Sequence, residues 1–331
     1  MKKLRIAVLA GGRSGEHEVS LRSAESIATR LDPDKYEVNI YEISREGIWS
    51  PRPILPEPDA NPSIDVVFPI THGTFGEDGT MQGLLELADL PYVGPGVLSS
   101  ALAMDKEFTK RVLRASDVPV VEYRLQYRGA LDPDAAIAAL GLPLFVKPAN
   151  LGSSVGIHKA KTREELADAL ADAAQYDTKI LIERAIVGRE FECSVLGNIG
   201  LDEQDLTASL PCEILPAGEF YDYDAKYVLD TTRIDLPAQL RSEETTEVQT
   251  LAVAACRALG CEGMSRVDFL QDSTNGKFYV NEVNTLPGFT SISMYPKMWE
   301  HSGIGYSELL DRLIQLALAR HQRKLQTKFT R

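Results

Sequence analysis

The feature that most constrains the fold of this chain is the stretch RVDFLQDSTNGKFYVNEVNTLPG, residues 266–288. It predicts two antiparallel β-strands around a turn that contains glycine. Side chains alternate along a strand, so Arg266 and Asp268 share one face, and Glu282 and Asn284 share a face of the return strand. A cation, two carboxylates and an amide therefore project from two neighbouring strands, at positions where core side chains would be expected.

The length of the turn decides whether these polar side chains meet. A strict two-residue turn pairs Asp268 with Val283, whereas a three-residue loop pairs Asp268 with Glu282 and Arg266 with Asn284. We favour the three-residue loop because two carboxylates and an amide oxygen form a site of the kind that Mg²⁺ prefers.

The favoured three-residue loop is Thr274–Gly276, with Gly276 in the left-handed conformation. Phe278 and Val280 are then expected on the same face as Glu282. A solvated hairpin face, on which the arginine pairs with its neighbours, is the alternative, and this segment alone leaves both interpretations open.

Length and composition restrict the class of protein. A chain of 331 residues exceeds the ~250–300 residues at which a single core stops growing, which predicts two or three domains. The net charge of −13 argues against a nucleic-acid or membrane-surface partner. The four cysteines show no CxxC spacing, which indicates buried thiols in a reducing compartment, the cytoplasm. The apolar run after the basic start, residues 6–10, is too short for a signal peptide.

The order of elements predicts a change of architecture along the chain. Over about the first hundred residues strands and helices alternate, which is typical of a doubly wound parallel sheet. The remainder is α+β with antiparallel pairs and divides near residue 185 between two lobes. We expect domains at residues 1–100, 101–185 and 186–331.

Two glycine-rich loops and several charged residues are candidates for a site. In KPANLGSSVG, Lys147 ends a strand and Ser153 lies in a loop whose amides could approach phosphate, although a flexible connector is equally consistent. In HGTFGEDGTMQG, His72 is a candidate site residue or a satisfied turn histidine. In GGRSGEHE, Glu16 lies near a helix start with spacing unlike the Rossmann fingerprint, and it suits an ammonium group.

Other candidates carry weaker signals. Lys106 begins a helix, where lysine is usually solvated. Glu183 and Glu190 flank a connection that in the bare sequence is only a hairpin. The tyrosine-rich segment 220–232 could be a functional or an ordered surface loop. After the 266–288 hairpin, the Gly288 amide could donate to an oxyanion, and Ser293 could cap a helix or bind a carboxylate.

Taken together, HGTFGEDGTMQG, KPANLGSSVG, DYDAKY and RVDFL…VNEVNTLPGFTSIS resemble the D-alanine–D-alanine ligase family of ATP-grasp enzymes. The resemblance runs from the first strand to the last helices, with the motifs in the same order. It implies a Rossmann-like N-terminal domain followed by a two-lobed ATP-grasp fold, with ATP and two Mg²⁺ (or Mn²⁺) ions as cofactors. A homodimer is also expected.

The resemblance implies a role for each matching residue. Metal ions would be held by Asp268, Glu282 and Asn284. The nucleotide would be bound by Lys106, Lys147, Glu183, Ile186, Glu190 and Lys226. The first D-alanine would contact Glu16, linked through Ser153 to Tyr227, and the second would contact Lys226 and Ser293, with His72 lining the site. The transition state would be stabilised by Arg266 and the Gly288 amide.

The implied reaction joins two D-alanines through an acyl phosphate, for peptidoglycan precursors. Because an acyl phosphate hydrolyses in water, we expect a closing loop, and we assign it to residues 213–233. Relatives that use D-lactate replace the residue at the Tyr227 position, so its presence favours an amine as second substrate. A D-alanine–D-lactate or D-alanine–D-serine ligase is the closest alternative, and a nicotinamide dehydrogenase or a non-catalytic nucleotide-binding module is more distant.

Overall fold

The computed structural model describes residues 2–152, 155–200, 204–215 and 233–328. The strands are β1 (Leu4–Gly11), β2 (Tyr36–Ile43), β3 (Trp49–Ser50), β4 (Val66–Pro69), β5 (Tyr123–Tyr127), β6 (Leu144–Pro148), β7 (His158–Ala160), β8 (Lys179–Arg184), β9 (Gly188–Gly197), β10 (Thr207–Ala208), β11 (Cys212–Leu215), β12 (Arg233–Asp235), β13 (Gly263–Asp272) and β14 (Phe278–Asn284). The helices are α1 (His17–Arg30), α2 (Thr80–Leu87), α3 (Val97–Met104), α4 (Lys106–Ala115), α5 (Pro133–Leu140), α6 (Arg163–Tyr176), α7 (Ser242–Leu259), α8 (Met294–His301) and α9 (Tyr306–Leu325).

The first sheet has the order β3-β2-β1-β4. Its central strand β1 pairs in parallel with β2 and with β4, as the alternation of strands and helices predicts. From Ile6 to Gly11 every residue of β1 is buried, which is the pattern of a parallel strand covered on both faces. The carboxyl end of β1 leads directly into the loop that carries Glu16.

The second sheet, β5-β8-β6-β7, is antiparallel. Helices α5 and α6 cover it, and their apolar residues form one core with the strands. That core contains Ala136, Leu144, Val146, Leu166, Leu170, Ile180 and Ile182. Lys147 of β6 and Glu183 of β8 are diagonal neighbours on this sheet, because Glu183 pairs with Phe145 and Lys147 pairs with Leu181.

The third sheet has the order β12-β11-β9-β13-β14, with β10 paired to β9. Helix α7 packs on it around a core that includes Val267 and Phe269. Strands β8 and β9 belong to different sheets, so the segment 185–187 connects two sheets and is not the turn of a hairpin. Residues 213–215 and Arg233 lie in the paired strands β11 and β12, so these ends of the expected loop are strand.

The carboxyl-terminal helices return to the first sheet. Phe289 is fully buried, and its ring centroid lies 5.8 Å from that of Phe68 in β4 and 5.4 Å from that of Tyr295 in α8. Residues of α9 join the same core. The first sheet is therefore stabilised by the far end of the chain. Within the described ranges, no helix combines the length and apolar character needed to span a bilayer.

We predict that Phe289→Ala lowers the free energy of unfolding by about 3–5 kcal/mol, because it leaves a cavity between the first sheet and the terminal helices. Ile292→Ala is the matched control, since Ile292 is 70% exposed; its effect should stay within about 0.5 kcal/mol. Urea denaturation measures both. Equal losses in the two variants would contradict this view of the core.

Candidate active site

The hairpin pairs its polar residues as predicted. Arg266 faces Asn284 and Asp268 faces Glu282 across β13 and β14. The predicted turn is wrong, however, because Gln271 faces Phe278 and the connecting loop comprises residues 273–276. A β-bulge next to Asp268 restores the predicted register. Gly276 has the expected positive φ, 73°.

The bulge also changes which side chains share a face. Phe278 and Val280 are buried in the core with Val267, so the expectation that they share a face with Glu282 is wrong. The extra residue in the bulge is Asn281, whose Oδ1 accepts a hydrogen bond of 3.1 Å from Lys147 Nζ. One irregularity therefore separates an apolar end of β14 from a polar end and links the hairpin to the second sheet.

Arg266 is held by carboxylates. Its Nε and Nη2 each donate to Asp268 at 2.7 Å, and Nε lies 3.3 Å from Glu192 Oε2. Glu192, on β9, faces Asp268 from the strand opposite Glu282. Asn284 Nδ2 donates to Asp268 Oδ2 at 3.0 Å, so these side chains lie on one side of the sheet.

Arg266 is buried among carboxylates. Although burial disfavours its charge, Asp268, Glu192 and Glu282 raise the pKa of Arg266 well above its usual value. Three carboxylates therefore act on one buried guanidinium. The described residues contain no group of three or more His, Cys, Asp or Glu side chains arranged to hold a metal. Two carboxylates and an amide nevertheless suit a hard divalent cation in chemistry.

A buried charge cluster lies where the second sheet meets this hairpin. Glu183 Oε2 is 2.6 Å from Lys147 Nζ, and Glu183 Oε1 is 2.6 Å from Lys110 Nζ. Burial alone would raise the pKa of Glu183, but the two lysines lower it to about 2. Burial likewise opposes the charge of Lys147, yet Glu183 raises the pKa of Lys147. Glu190 acts on Lys147 electrostatically, and Ile186 lies in the connection between Glu183 and Glu190.

Lys106 begins α4 beside the loop that follows β6. Asp105 caps this helix by accepting from the amides of Glu107 and Phe108. The backbone amide of Lys106 donates to Ala149 O at 2.9 Å, and its Nζ donates to Leu151 O. The helix start therefore lies against the glycine-containing loop that follows β6.

The loops after β1 and β4 meet the segment after the hairpin. An added Cβ on Gly73 would lie 3.4 Å from Glu16 Oε2, and one on Gly152 would lie 3.7 Å away, so the Glu16 carboxylate is near both loops. His72 Nδ1 contacts Leu286 O at 2.9 Å. Glu77 accepts from the amides of Gly73 and Leu286 at 2.8 and 2.9 Å.

Gly288 and Ser293 are adjacent. A Cβ on Gly288 would lie 2.9 Å from Ser293 Oγ, so a side chain does not fit there without a shift. Ser293 occupies the cap position of α8, but its side chain makes no cap hydrogen bond. Instead its Oγ accepts from the Thr290 amide at 2.9 Å.

The structure thus brings Glu16, His72, Gly288 and Ser293 to one region and Lys147, Glu183, Asp268 and Glu282 to the neighbouring one. Ser153, Lys226 and Tyr227 lie outside the described residues, as does the segment 216–232 of the expected closing loop. Their roles, and those of the other site residues, stay predictions.

Three residues of this region were missed at the level of sequence. Lys110 follows Lys106 by one helical turn, and Glu192 follows Glu190 on the same strand face, so spacing alone could have suggested both. Glu77 belongs to the quoted motif HGTFGEDGTMQG but was not singled out. Its contact with Leu286 joins residues 209 apart in the chain, for which no local pattern gives a signal.

Comparison with known proteins identifies the family. The family described as "D-ala D-ala ligase C-terminus" matches residues 112–315, and "D-ala D-ala ligase N-terminus" matches residues 5–60 and 54–95. A D-alanine–D-alanine ligase from Solibacter usitatus (strain Ellin6076) is 59% identical over 329 residues, which covers 99% of this chain and 100% of that relative. One from Thermoanaerobacter sp. (strain X514) is 50% identical over 360 residues, covering 98% and 99%.

Solved structures agree with this result. The D-alanine–D-alanine ligase from Coxiella burnetii is 39% identical with a TM-score of 0.87, covering 98% of this chain and 97% of that one. The VanG D-Ala:D-Ser ligase from Enterococcus faecalis is 36% identical with a TM-score of 0.86, covering 96% and 100%.

The predicted architecture, a Rossmann-like domain followed by an ATP-grasp fold, is confirmed, and with it the class of ATP-dependent ligases. The chain belongs to the D-alanine–D-alanine ligase family.

The low pKa of Glu183 predicts a pH dependence of stability. Because folding lowers that pKa to about 2, the ionised group stabilises the fold above its ordinary pKa of about 4.3, and the stabilisation is lost as pH falls toward 2. We expect the free energy of unfolding to fall more steeply between about pH 5 and pH 3 in the wild type than in Glu183→Gln. Glu164→Gln, an exposed change on α6, should keep the wild-type slope in urea titrations; a wild-type slope in Glu183→Gln would contradict the assignment.

Proposed function

We propose that this chain joins two molecules of D-alanine to D-alanyl-D-alanine at the expense of ATP, for peptidoglycan precursor synthesis. The observation that carries the proposal is that two groups of candidate residues contact the same hairpin and the segment that follows it. Lys147 and Glu183 mark a nucleotide site and join the acidic end of the hairpin through Asn281. Glu16, His72 and Ser293 surround a neighbouring polar region that suits amino acids.

Asp268, Glu282 and Asn284 would hold the Mg²⁺ or Mn²⁺ ions. When bound, these ions neutralise phosphate charge and orient the β- and γ-phosphates. The placement of Asp268 opposite Glu282 and in hydrogen-bond contact with Asn284 supports this assignment, because carboxylate and amide oxygens suit a hard divalent cation. The guanidinium holds both Asp268 oxygens in the present arrangement, so ion binding requires the carboxylate to share its charge between the two cations.

In the first step, a carboxylate oxygen of one D-alanine attacks the γ-phosphorus of ATP, and the bond from that phosphorus to the bridging oxygen breaks to release ADP. The chain's own residues position and neutralise the reactants, since phosphoryl transfer needs little covalent help. Lys106 and Lys147 contact phosphate oxygens, Glu183 and the 185–187 connection bind the base, and Glu190 binds the ribose. Glu16 binds the ammonium group of this D-alanine, linked through Ser153 to Tyr227.

In the second step, the free amine of the other D-alanine attacks the acyl-phosphate carbon. The carbon–oxygen bond to phosphate then breaks, phosphate leaves with the electron pair, and the amine loses a proton. Arg266 and the Gly288 amide stabilise the tetrahedral oxyanion. Ser293 and Lys226 bind the carboxylate of this second substrate.

The direct test is phosphate release from ATP with each amino acid and its enantiomer. We expect release that depends on D-alanine alone and yields the dipeptide. Competition with D-lactate and D-serine separates the alternatives: incorporation of either in preference to D-alanine would assign the chain to the depsipeptide or D-serine ligases. Tyr227→Phe should relax this preference, and an unchanged preference would count against the role of Tyr227.

We predict that Asp268→Asn and Glu282→Gln each lower kcat by at least about 100-fold. Loss of a residue that only orients a metal ligand already lowers metal affinity or activity by about 10–100-fold, and these two residues would contact the metal directly. Raising Mg²⁺ should recover part of the activity, and isothermal titration should show weaker Mn²⁺ binding in the presence of ADP. Asp168→Asn, an exposed change on α6, is the control. Full activity with unaltered Mn²⁺ binding in both hairpin variants would exclude the proposed metal site.

We further propose that the protein is a cytoplasmic homodimer. Each chain would have three domains, with boundaries at residues 100 and 185. Three separate sheets within residues 4–69, 123–184 and 188–284 support this division. All four cysteines are free and buried, and burial raises the pKa of Cys193 to about 12, which suits a reducing compartment. Leu87 and Leu98, on the neighbouring helices α2 and α3, are 64% and 71% exposed and could lie at a subunit contact. Sedimentation of the wild type and of Leu98→Glu tests the dimer.

A further inference from the structure

Lys110 is buried to an extent that its sequence position does not predict. It lies on α4, one turn after Lys106, and is 1% exposed. Its Nζ is 2.6 Å from Glu183 Oε1. Burial lowers the pKa of Lys110, while Glu183 opposes this effect. Charged pairs buried in this way are often no more stabilising than apolar residues of similar size, so stability alone does not explain the lysine.

The two lysines bind opposite sides of one carboxylate. Lys147 contacts Glu183 Oε2 and Asn281 of the hairpin, whereas the ion pair of Lys110 within the described residues is with Glu183 Oε1. Within those residues, neither Lys110 Nζ nor Glu183 Oε1 has a well-aligned hydrogen bond, despite their short separation. The two lysines therefore hold different oxygens of Glu183, and Lys147 is the one that also contacts Asn281 of the hairpin.

We propose that Lys110 is a positioning residue for nucleotide binding, which acts by holding the Glu183 carboxylate ionised and oriented toward the base. This inference rests on the proposed function. A fixed carboxylate is an acceptor for an exocyclic amine, which adenine offers at the position where guanine carries an acceptor oxygen. Held by Lys110, Glu183 selects an adenine nucleotide and keeps Lys147 aligned with the phosphates.

The test is a double-mutant cycle of Lys110→Met and Glu183→Gln, with ADP and GDP as probes in titration calorimetry. We expect Lys110→Met to weaken ADP binding about tenfold or more and to reduce the preference for ADP over GDP. The KM for ATP should rise similarly, while the KM for D-alanine changes less than about twofold. In the Glu183→Gln background, Lys110→Met should add less than about twofold, because Lys110 acts through Glu183.

Each other outcome contradicts the inference. Additive effects would mean that Lys110 contacts the nucleotide itself, and a lowered Tm with unchanged ADP binding would mean a purely structural role. If Lys110→Met does not fold, ADP binding is compared between Glu183→Gln and the double variant. The double variant leaves only Lys147 without the Glu183 carboxylate, whereas Glu183→Gln leaves both lysines without it. Arg111→Met, which removes an exposed guanidinium that pairs with Glu107 on the same helix, is the control and should bind ADP as the wild type does.

The same data separate this inference from the proposed function. A wild type that binds neither ADP nor GDP, and releases no phosphate with D-alanine, would overturn the function. A wild type that binds ADP and releases phosphate, with Lys110→Met indistinguishable from it in ADP binding, would overturn only the role of Lys110.

Discussion

Compensation of buried charge is the interaction on which the rest of this site depends. An ionised group removed from water is stable only if an opposite charge or several hydrogen bonds lie within reach. Glu183 meets this condition through two lysines from different elements, and Arg266 meets it through carboxylates on its own strand and on β9. Each cluster therefore fixes the relative placement of strands and helices that are distant in the chain. Nucleotide and substrate groups would enter a site whose side chains are already oriented, so binding costs little further ordering.

The bulge in β14 allows one hairpin to serve both a core and a polar site. A regular strand would keep Val280 and Glu282 on the same face, so either the core would lose an apolar side chain or a carboxylate would be buried in it. Inserting Asn281 changes the phase of the strand between these residues. Val280 then packs under α7, and Glu282 faces Asp268. The inserted amide also contacts Lys147, which couples the charge clusters of the second and third sheets.

The sequence predicts the parts of this structure that local pattern controls. Alternation of strands and helices gave the parallel sheet, and period-two patterning gave the two hairpin strands. The pairing of Asp268 with Glu282 was predicted for a wrong reason, because a longer turn and a bulge together produce the register expected from a three-residue loop. A phase change was visible in the sequence, where apolar residues occur at 278 and 280 and then at 283. A one-residue shift in the alternation of apolar and polar side chains within a strand indicates a bulge.

Long-range contacts explain what local pattern missed. A lysine on an amphipathic helix is ordinarily solvated, and only the placement of β8 behind α4 buries Lys110 against Glu183. The same holds for Glu77, which links the loops after β4 and β14 by accepting one amide from each. If its carboxylate were amidated, an NH₂ group would face one of these two donors, and the loops would lose a hydrogen bond while burying an unpaired amide. Since His72 and Gly288 lie in those loops, Glu77 and the contact of His72 with Leu286 together fix the spacing of the residues that we propose to bind the two amino acids.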